Sequence, residues 1–141
     1  MALTAVNSKI TKSGNAIEIY KGQSKDIEVD LTQPGIDPRT NLPADVSVDL
    51  AGAVMYCSVR SEPGNPILLI KKVSTDVTQI SFTAPTTSGV AVIHFGPLDT
   101  YKLEADTYVF DVWVVLSGGK TYPVIEVSEF IVKQPVTIIA G

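Results

Sequence analysis

The side chains that could do chemistry are few: one histidine, one cysteine, one tryptophan and a row of carboxylates. His94 lies in Val92-Ile93-His94-Phe95. A serine or cysteine nucleophile needs a base, and His94 is the first choice. No Gly-x-Ser-x-Gly elbow surrounds any serine, so His94 is expected as a strand residue satisfied by a hydrogen bond or by solvent. Asp26, Glu28 and Asp30 share one strand face at two-residue spacing and could hold a hard cation. No Gly-containing ligand loop accompanies them, so the expected role is a solvated face that discourages edge pairing. Cys57 has no second cysteine to pair with and no set of zinc partners. It sits in an apolar run and reads as a buried, inert thiol. No Gly-rich loop opens a helix, which leaves phosphate groups without a platform. No catalytic residue, cofactor site or metal site is expected, and the chain does not read as an enzyme.

Trp113 stands mid-strand among valines, and core packing is its expected role. A second reading pairs it with Tyr122 on one face of the hairpin at Gly118-Gly119, as a surface for carbohydrate or a cell surface. Tyr108, Phe110, Asp111, Trp113, Gly118 and Gly119 are otherwise assigned structural roles.

These residues need a scaffold, and the alternation of the sequence says which. At 141 residues the chain fits one domain. Apolar residues make up 45% and charged ones 18%, which excludes general disorder. Runs such as Ile67-Leu68-Leu69-Ile70 are far shorter than the ~20 residues of a membrane helix. The first residues lack the basic start and apolar stretch of a secretory signal. The net charge is −4 and only Lys71-Lys72 are adjacent basic residues, which argues against nucleic acid as a partner.

No twelve-residue segment carries a helical period; nine prolines and ten glycines punctuate short alternating runs. Strands are expected at Ile17–Tyr20, Lys25–Leu31, Ala53–Arg60, Ile67–Lys72, Thr78–Thr83, Val90–Phe95, Thr107–Leu116, Lys120–Val124, Val127–Lys133 and Val136–Ile139, with Val46–Leu50 either a short strand or an extended approach. Thr107–Leu116 is largely apolar on both faces and should be central. Gly118-Gly119 signals a hairpin, because both residues tolerate positive φ. Pro123 places the returning strand at an edge or a bulge. Short strands with turns every eight to twelve residues give an all-β, Ig-like antiparallel sandwich of about eight to ten strands. Within 103–108, Tyr108 sits where a tyrosine corner would bond its hydroxyl to the backbone upstream.

Residues 1–15 read as a flexible N-terminal arm, or one that orders against a partner, and 16–141 as the single sandwich domain. Gln33–Asp45, with three prolines and a glycine, reads as a long loop of the kind that binds something. Pro34, Ile36, Pro38, Arg39 and Leu42 are its candidate partner contacts. Val136, Thr137, Ile138 and Ile139 form an apolar C-terminal strand. It either completes the sandwich or adds to a neighbouring subunit.

A family resemblance rests on a series of short motifs. They are Tyr20-Lys21-Gly22-Gln23-Ser24-Lys25-Asp26-Ile27, Asp49-Leu50-Ala51-Gly52-Ala53 and Ser58-Val59-Arg60, then Leu98-Asp99-Thr100. Ala105-Asp106-Thr107-Tyr108-Val109-Phe110-Asp111-Val112, Gly119-Lys120-Thr121, Phe130 and Val136-Thr137 complete the series. From about Ile17 to Thr137 the chain resembles the Ig-like β-sandwich domains of tailed-bacteriophage structural proteins, such as the N-terminal domain of baseplate upper proteins. Ala105-Asp106 replaces the glycine usual before Tyr108. The resemblance implies a virion component of tail, neck or baseplate that folds in the host cytoplasm before assembly. Its partners would be other phage structural proteins or copies of itself, without nucleic acid or membrane, and no catalytic residue is implied.

Overall fold

A computed structural model describes residues 7–10 and 16–136. Ten strands follow in chain order among the described residues: β1 Asn7–Ile10, β2 Ile17–Tyr20, β3 Lys25–Ile36, β4 Pro43–Ser47, β5 Val54–Arg60, β6 Ile70–Val73, β7 Ile80–Phe82, β8 Val90–Phe95, β9 Asp106–Val115 and β10 Thr121–Lys133. A 3₁₀ turn, Thr86–Ser88, precedes β8, and a one-turn helix α1, Pro97–Tyr101, follows it.

The strands form two sheets. The first runs β1-β3-β8-β7, with β4 also paired to β3; the second runs β2-β10-β9-β5-β6. All pairings are antiparallel except β2 with β10, which are parallel from Phe130↔Ile17 to Lys133↔Tyr20. Alternation sets the inner faces. Ile27, Val29 and Leu31 of β3 and Ala91, Ile93 and Phe95 of β8 are buried. They meet Met55, Cys57 and Val59 of β5 and Phe110, Val112 and Val114 of β9. Phe130 stands between the layers, 5.4 Å from Phe95 and 6.3 Å from Phe110 between ring centroids. The β9 strand lies between β10 and β5, so neither of its edges is open.

Helix α1 closes one end. Gly96 N–H donates to Asp99 Oδ2 at 2.7 Å, and Lys72 Nζ reaches the same oxygen at 2.7 Å. Lys72 enters from the inner side of β6, beside the Phe95 ring. Thr100, fully buried, accepts a bond from Gly22 N–H and ties α1 to the β2–β3 turn. In the short link from α1 into β9, Tyr108 Oη donates to the Glu104 carbonyl at 2.8 Å, the corner bond that its position suggests.

Several expectations need correction. The stretch 33–45 is not a loop: β3 continues to Ile36 and pairs with β4 from Thr32↔Ser47 to Ile36↔Pro43. Its prolines fit because a two-stranded ribbon has free edges, where a missing N–H leaves no ladder partner orphaned. The expected strands 120–124 and 127–133 are one bulged strand, β10, with register shifts after Pro123 and after Ile125. Pro123 sits at the bulge, beyond the part of β10 that pairs with β2. Only Gly119 of the glycine pair has positive φ, at +85°. Part of the expected arm, Asn7–Ile10, pairs with β3 of its own sandwich; 1–6 and 11–15 lie outside the described residues. The last described strand ends at Lys133, Val136 is fully exposed, and Thr137, Ile138 and Ile139 lie outside the described residues. Trp113 is not in the core: it faces outward, 39% exposed.

Candidate functional site

The first candidate is the β3–β4 hairpin. No residue from Thr32 to Ser47 is buried, although Leu31 and Val48 on either side both are. The ribbon leaves the core at these two residues, and Val48 N–H donates to the Leu31 carbonyl as it returns. Asp37 shapes the tip. Its N–H donates to the Leu42 carbonyl, its carbonyl accepts from Asn41, and its carboxylate accepts from Arg39 N–H. Asn41 takes positive φ there, which asparagine tolerates. Ile36 (47% exposed) and Leu42 (61%) flank this turn, and the Arg39 side chain is open to solvent. Thus Pro34, Ile36, Pro38, Arg39 and Leu42 share one projecting ribbon. The fold does not bring Val136 into any strand with them.

The second lies on the outer face of the first sheet. Asp26 and His94 are register partners on β3 and β8. His94 Nδ1 is 2.8 Å from Asp26 Oδ1, and His94 Nε2 is 2.8 Å from Ser81 Oγ on β7. Carboxylate, imidazole and hydroxyl thus stand in the order of an acyl-transfer triad. Such a triad also needs two convergent N–H donors for an oxyanion. On a sheet the backbone N–H groups lie in the plane of the ladder while side chains stand perpendicular to it. The row crosses three strands, β3, β8 and β7. Sequence reading missed it because Ser81, His94 and Asp26 are joined only by register. Glu28 is exposed, and Asp30 stands opposite Lys9 and Val90 with its Oδ1 buried and unpaired among the described residues.

The third is the outer face of β5 and β9. Three rungs lie there: Tyr56↔Trp113, Ser58↔Asp111 and Arg60↔Val109. Tyr56 and Trp113 are 38% and 39% exposed. Trp113 Nε1–H donates to Asp111 Oδ2 at 3.1 Å. Arg60 donates to the Asn65 carbonyl at 2.9 Å, in a loop that Asn65 braces through Ser61 Oγ and Ile67 N–H. A hollow of about 120 Å³ opens between this loop and the strands. Tyr122 is not part of the face: its register partner is buried Val114, and it packs on the core side.

Cys57 is fully buried, and that burial, reinforced by the Asp111 carboxylate, pushes its thiol up to about 12. It is held as the neutral thiol at ordinary pH.

Layering and topology define the class of this protein as a two-sheet, Ig-like β-sandwich. No family model matches the chain, and no curated protein matches it. Among solved structures it is similar to murine CRIg, with a TM-score of 0.40 and 14% identity over 89% of this chain and 98% of that one.

Proposed function

We propose that this chain is a non-enzymatic structural protein of a bacteriophage virion, a component of tail, neck or baseplate. It works by docking onto neighbouring chains. The observation that supports this reading best is the β3–β4 hairpin. A ribbon that buries nothing in its own core adds little to its own domain's stability, yet it is shaped by a braced turn and carries exposed Ile36 and Leu42. Among the described residues β4 pairs only with β3, so its second edge offers a row of unpaired N–H and C=O groups. That edge suits strand addition by a neighbour, with the two apolar side chains giving register. The resemblance of 17–137 to tailed-phage sandwich domains is what supports a virion as that particle. The partners are then other phage structural proteins or further copies of the chain, with neither nucleic acid nor membrane required.

The test is gradient sedimentation of native source material, with mass spectrometry of each fraction. The expected chain travels with a particle of megadalton mass. The double variant Ile36→Asp, Leu42→Asp should fold, because neither residue touches the core, and should fail to join the particle. A wild-type chain that travels only as a free monomer or small oligomer overturns the reading.

A further inference from the structure

We propose that the outer face of β5 and β9 binds the pyranose rings of a glycan. The rings would stack on Trp113 and Tyr56, with hydroxyls held by Asp111, Arg60 and Ser58. This goes beyond the docking role, because it uses the sheet opposite the hairpin.

The argument begins with where the tryptophan stands. Both faces of β9 are largely apolar, and Phe110, Val112 and Val114 already fill the inner one. Trp113 is left outside, directly opposite a second exposed aromatic, Tyr56. The face of an exposed aromatic ring carries a negative quadrupole, which attracts the polarised C–H groups of a sugar ring. The indole is also held in place. Its N–H is fixed by Asp111 Oδ2, two residues back on the same face of the same strand. A fixed ring loses little freedom when a ligand stacks on it.

Polar groups stand one and two rungs along. Asp111 Oδ1 accepts no bond among the described residues, and neither does Ser58 Oγ. Arg60 spends one donor of its five on Asn65. An acceptor carboxylate, a hydroxyl and a donor fork therefore converge on one hollow. Ser58, Arg60, Pro63, Gly64, Asp111 and Val127 line it. Paired acceptors and donors of this kind match the vicinal hydroxyls of a sugar. A few fixed polar groups beside an apolar platform is the usual build of a small-ligand site.

The occupant is a glycan and not a folded protein for two reasons. The hollow measures about 120 Å³, room for part of one ring and its hydroxyls. The charges of this face balance, Arg60 and Lys71 against Asp111 and Glu129, and offer no net charge to steer a charged partner. Successive rungs are roughly 7 Å apart, so the aromatic pair and the polar hollow would contact neighbouring parts of one oligosaccharide.

Trp113 is the sole tryptophan of the sequence, so its emission reports this face directly. The experiment titrates the full chain with maltohexaose, cellohexaose, chitohexaose and mannohexaose at micromolar to millimolar concentration. The expected result is a saturable blue shift with at least one of them. Tyr56→Ala and Asp111→Ala, with unchanged circular dichroism, should each weaken it tenfold or more. The hairpin variant Ile36→Asp, Leu42→Asp should bind as the parent does, so failure of the docking role and failure of this site are told apart. Three outcomes overturn the proposal. One is emission unmoved by all four probes, with no heat in calorimetry. Another is a shift that survives both alanine variants. The last is a shift driven by protein concentration alone, with a dimer in sedimentation that Tyr56→Ala dissolves, which would make the face an interface between copies.

Discussion

His94 joins Asp26 across two strands, Nδ1 to Oδ1 at 2.8 Å, and through its other nitrogen reaches Ser81 at 2.8 Å. The row spans β3, β8 and β7, and β7 is a three-residue edge strand. Two side-chain bonds are a large supplement to so short a ladder. His94→Ala is expected to cost about 1 kcal/mol, the size of a net hydrogen bond at a partly exposed site. Amide exchange at Ile80–Phe82 should quicken more than in β9. Hydrolysis of p-nitrophenyl acetate should be equal for the parent, Ser81→Ala and His94→Ala. A serine-dependent rate would show that the row is a working nucleophile and would remove the non-enzymatic reading.

Lys72 and Asp99 make the shortest ion pair among the described residues, 2.7 Å with both side chains largely covered. Asp99 also receives Gly96 N–H, so one oxygen holds the α1 start and the buried cation together. Removing one partner of a covered pair costs more than the pair is worth, because the other charge stays behind. Asp99→Ala should destabilise by about 2–4 kcal/mol. Lys72→Met in the same chain should restore much of that loss, since the methionine stem fills the space beside Phe95 without a charge. Urea melts of the two singles and the double measure the coupling. Equal, additive losses would show that the pair is not covered in solution.

The strands were legible because a half-buried strand writes its period into the sequence. Ile27, Val29 and Leu31 against Asp26, Glu28 and Asp30 is such a case, and the two faces of Thr107–Leu116 were separated correctly. Which face of β9 would be covered was not legible. Both are largely apolar, and the choice depends on β5, β10 and the opposing sheet, which are brought in by long-range pairing. The pattern therefore points Trp113 inward, yet it stands outward, and its partner is Tyr56, 57 positions away, rather than Tyr122. The hairpin was hidden for a different reason. Pro34, Gly35 and Pro43 are turn residues by composition, and only an unburied ribbon lets them pair. The Asp26–His94–Ser81 row has no local trace at all, since it follows from β3–β8 and β8–β7 register.

Cys57 gives a prediction about pH. Its folded value is about 12 against an ordinary 9.0, so between these values the unfolded chain has lost a proton that the folded chain keeps. Stability falls with pH wherever the unfolded state binds fewer protons. The contribution of the neutral thiol is thus complete below pH 9 and is lost as pH rises from about 9 towards 12. Cys57→Ala or Cys57→Val should flatten this alkaline slope in denaturant melts. At pH 8 the native thiol should react with Ellman's reagent at least a hundredfold more slowly than in denaturant, because burial both blocks access and suppresses the thiolate. Fast native labelling would contradict the burial.

Gly89 is where the hairpin meets the sandwich. Leu31 N–H donates to the Gly89 carbonyl, and the Leu31 carbonyl accepts from Val48 N–H. One edge of β3 therefore passes from β8 to β4 at this residue. Gly89 has φ of +70°, and a Cβ there would lie 2.5 Å from the Leu31 carbonyl oxygen and 3.0 Å from Val48 N. Those are backbone atoms already bonded to each other, so neither can give way cheaply. Gly119, at the β9–β10 turn, also has positive φ but nothing within 4 Å of an added Cβ. Gly119→Ala should cost about 1 kcal/mol, the conformational penalty alone. Gly89→Ala should cost at least 2–3 kcal/mol more, because it adds a clash to the same penalty. Thermal melts of the two variants provide the comparison. Equal losses would mean that the β8–β4 junction relaxes around a methyl group, and that the hairpin is less firmly tied to its sheet than these bonds indicate.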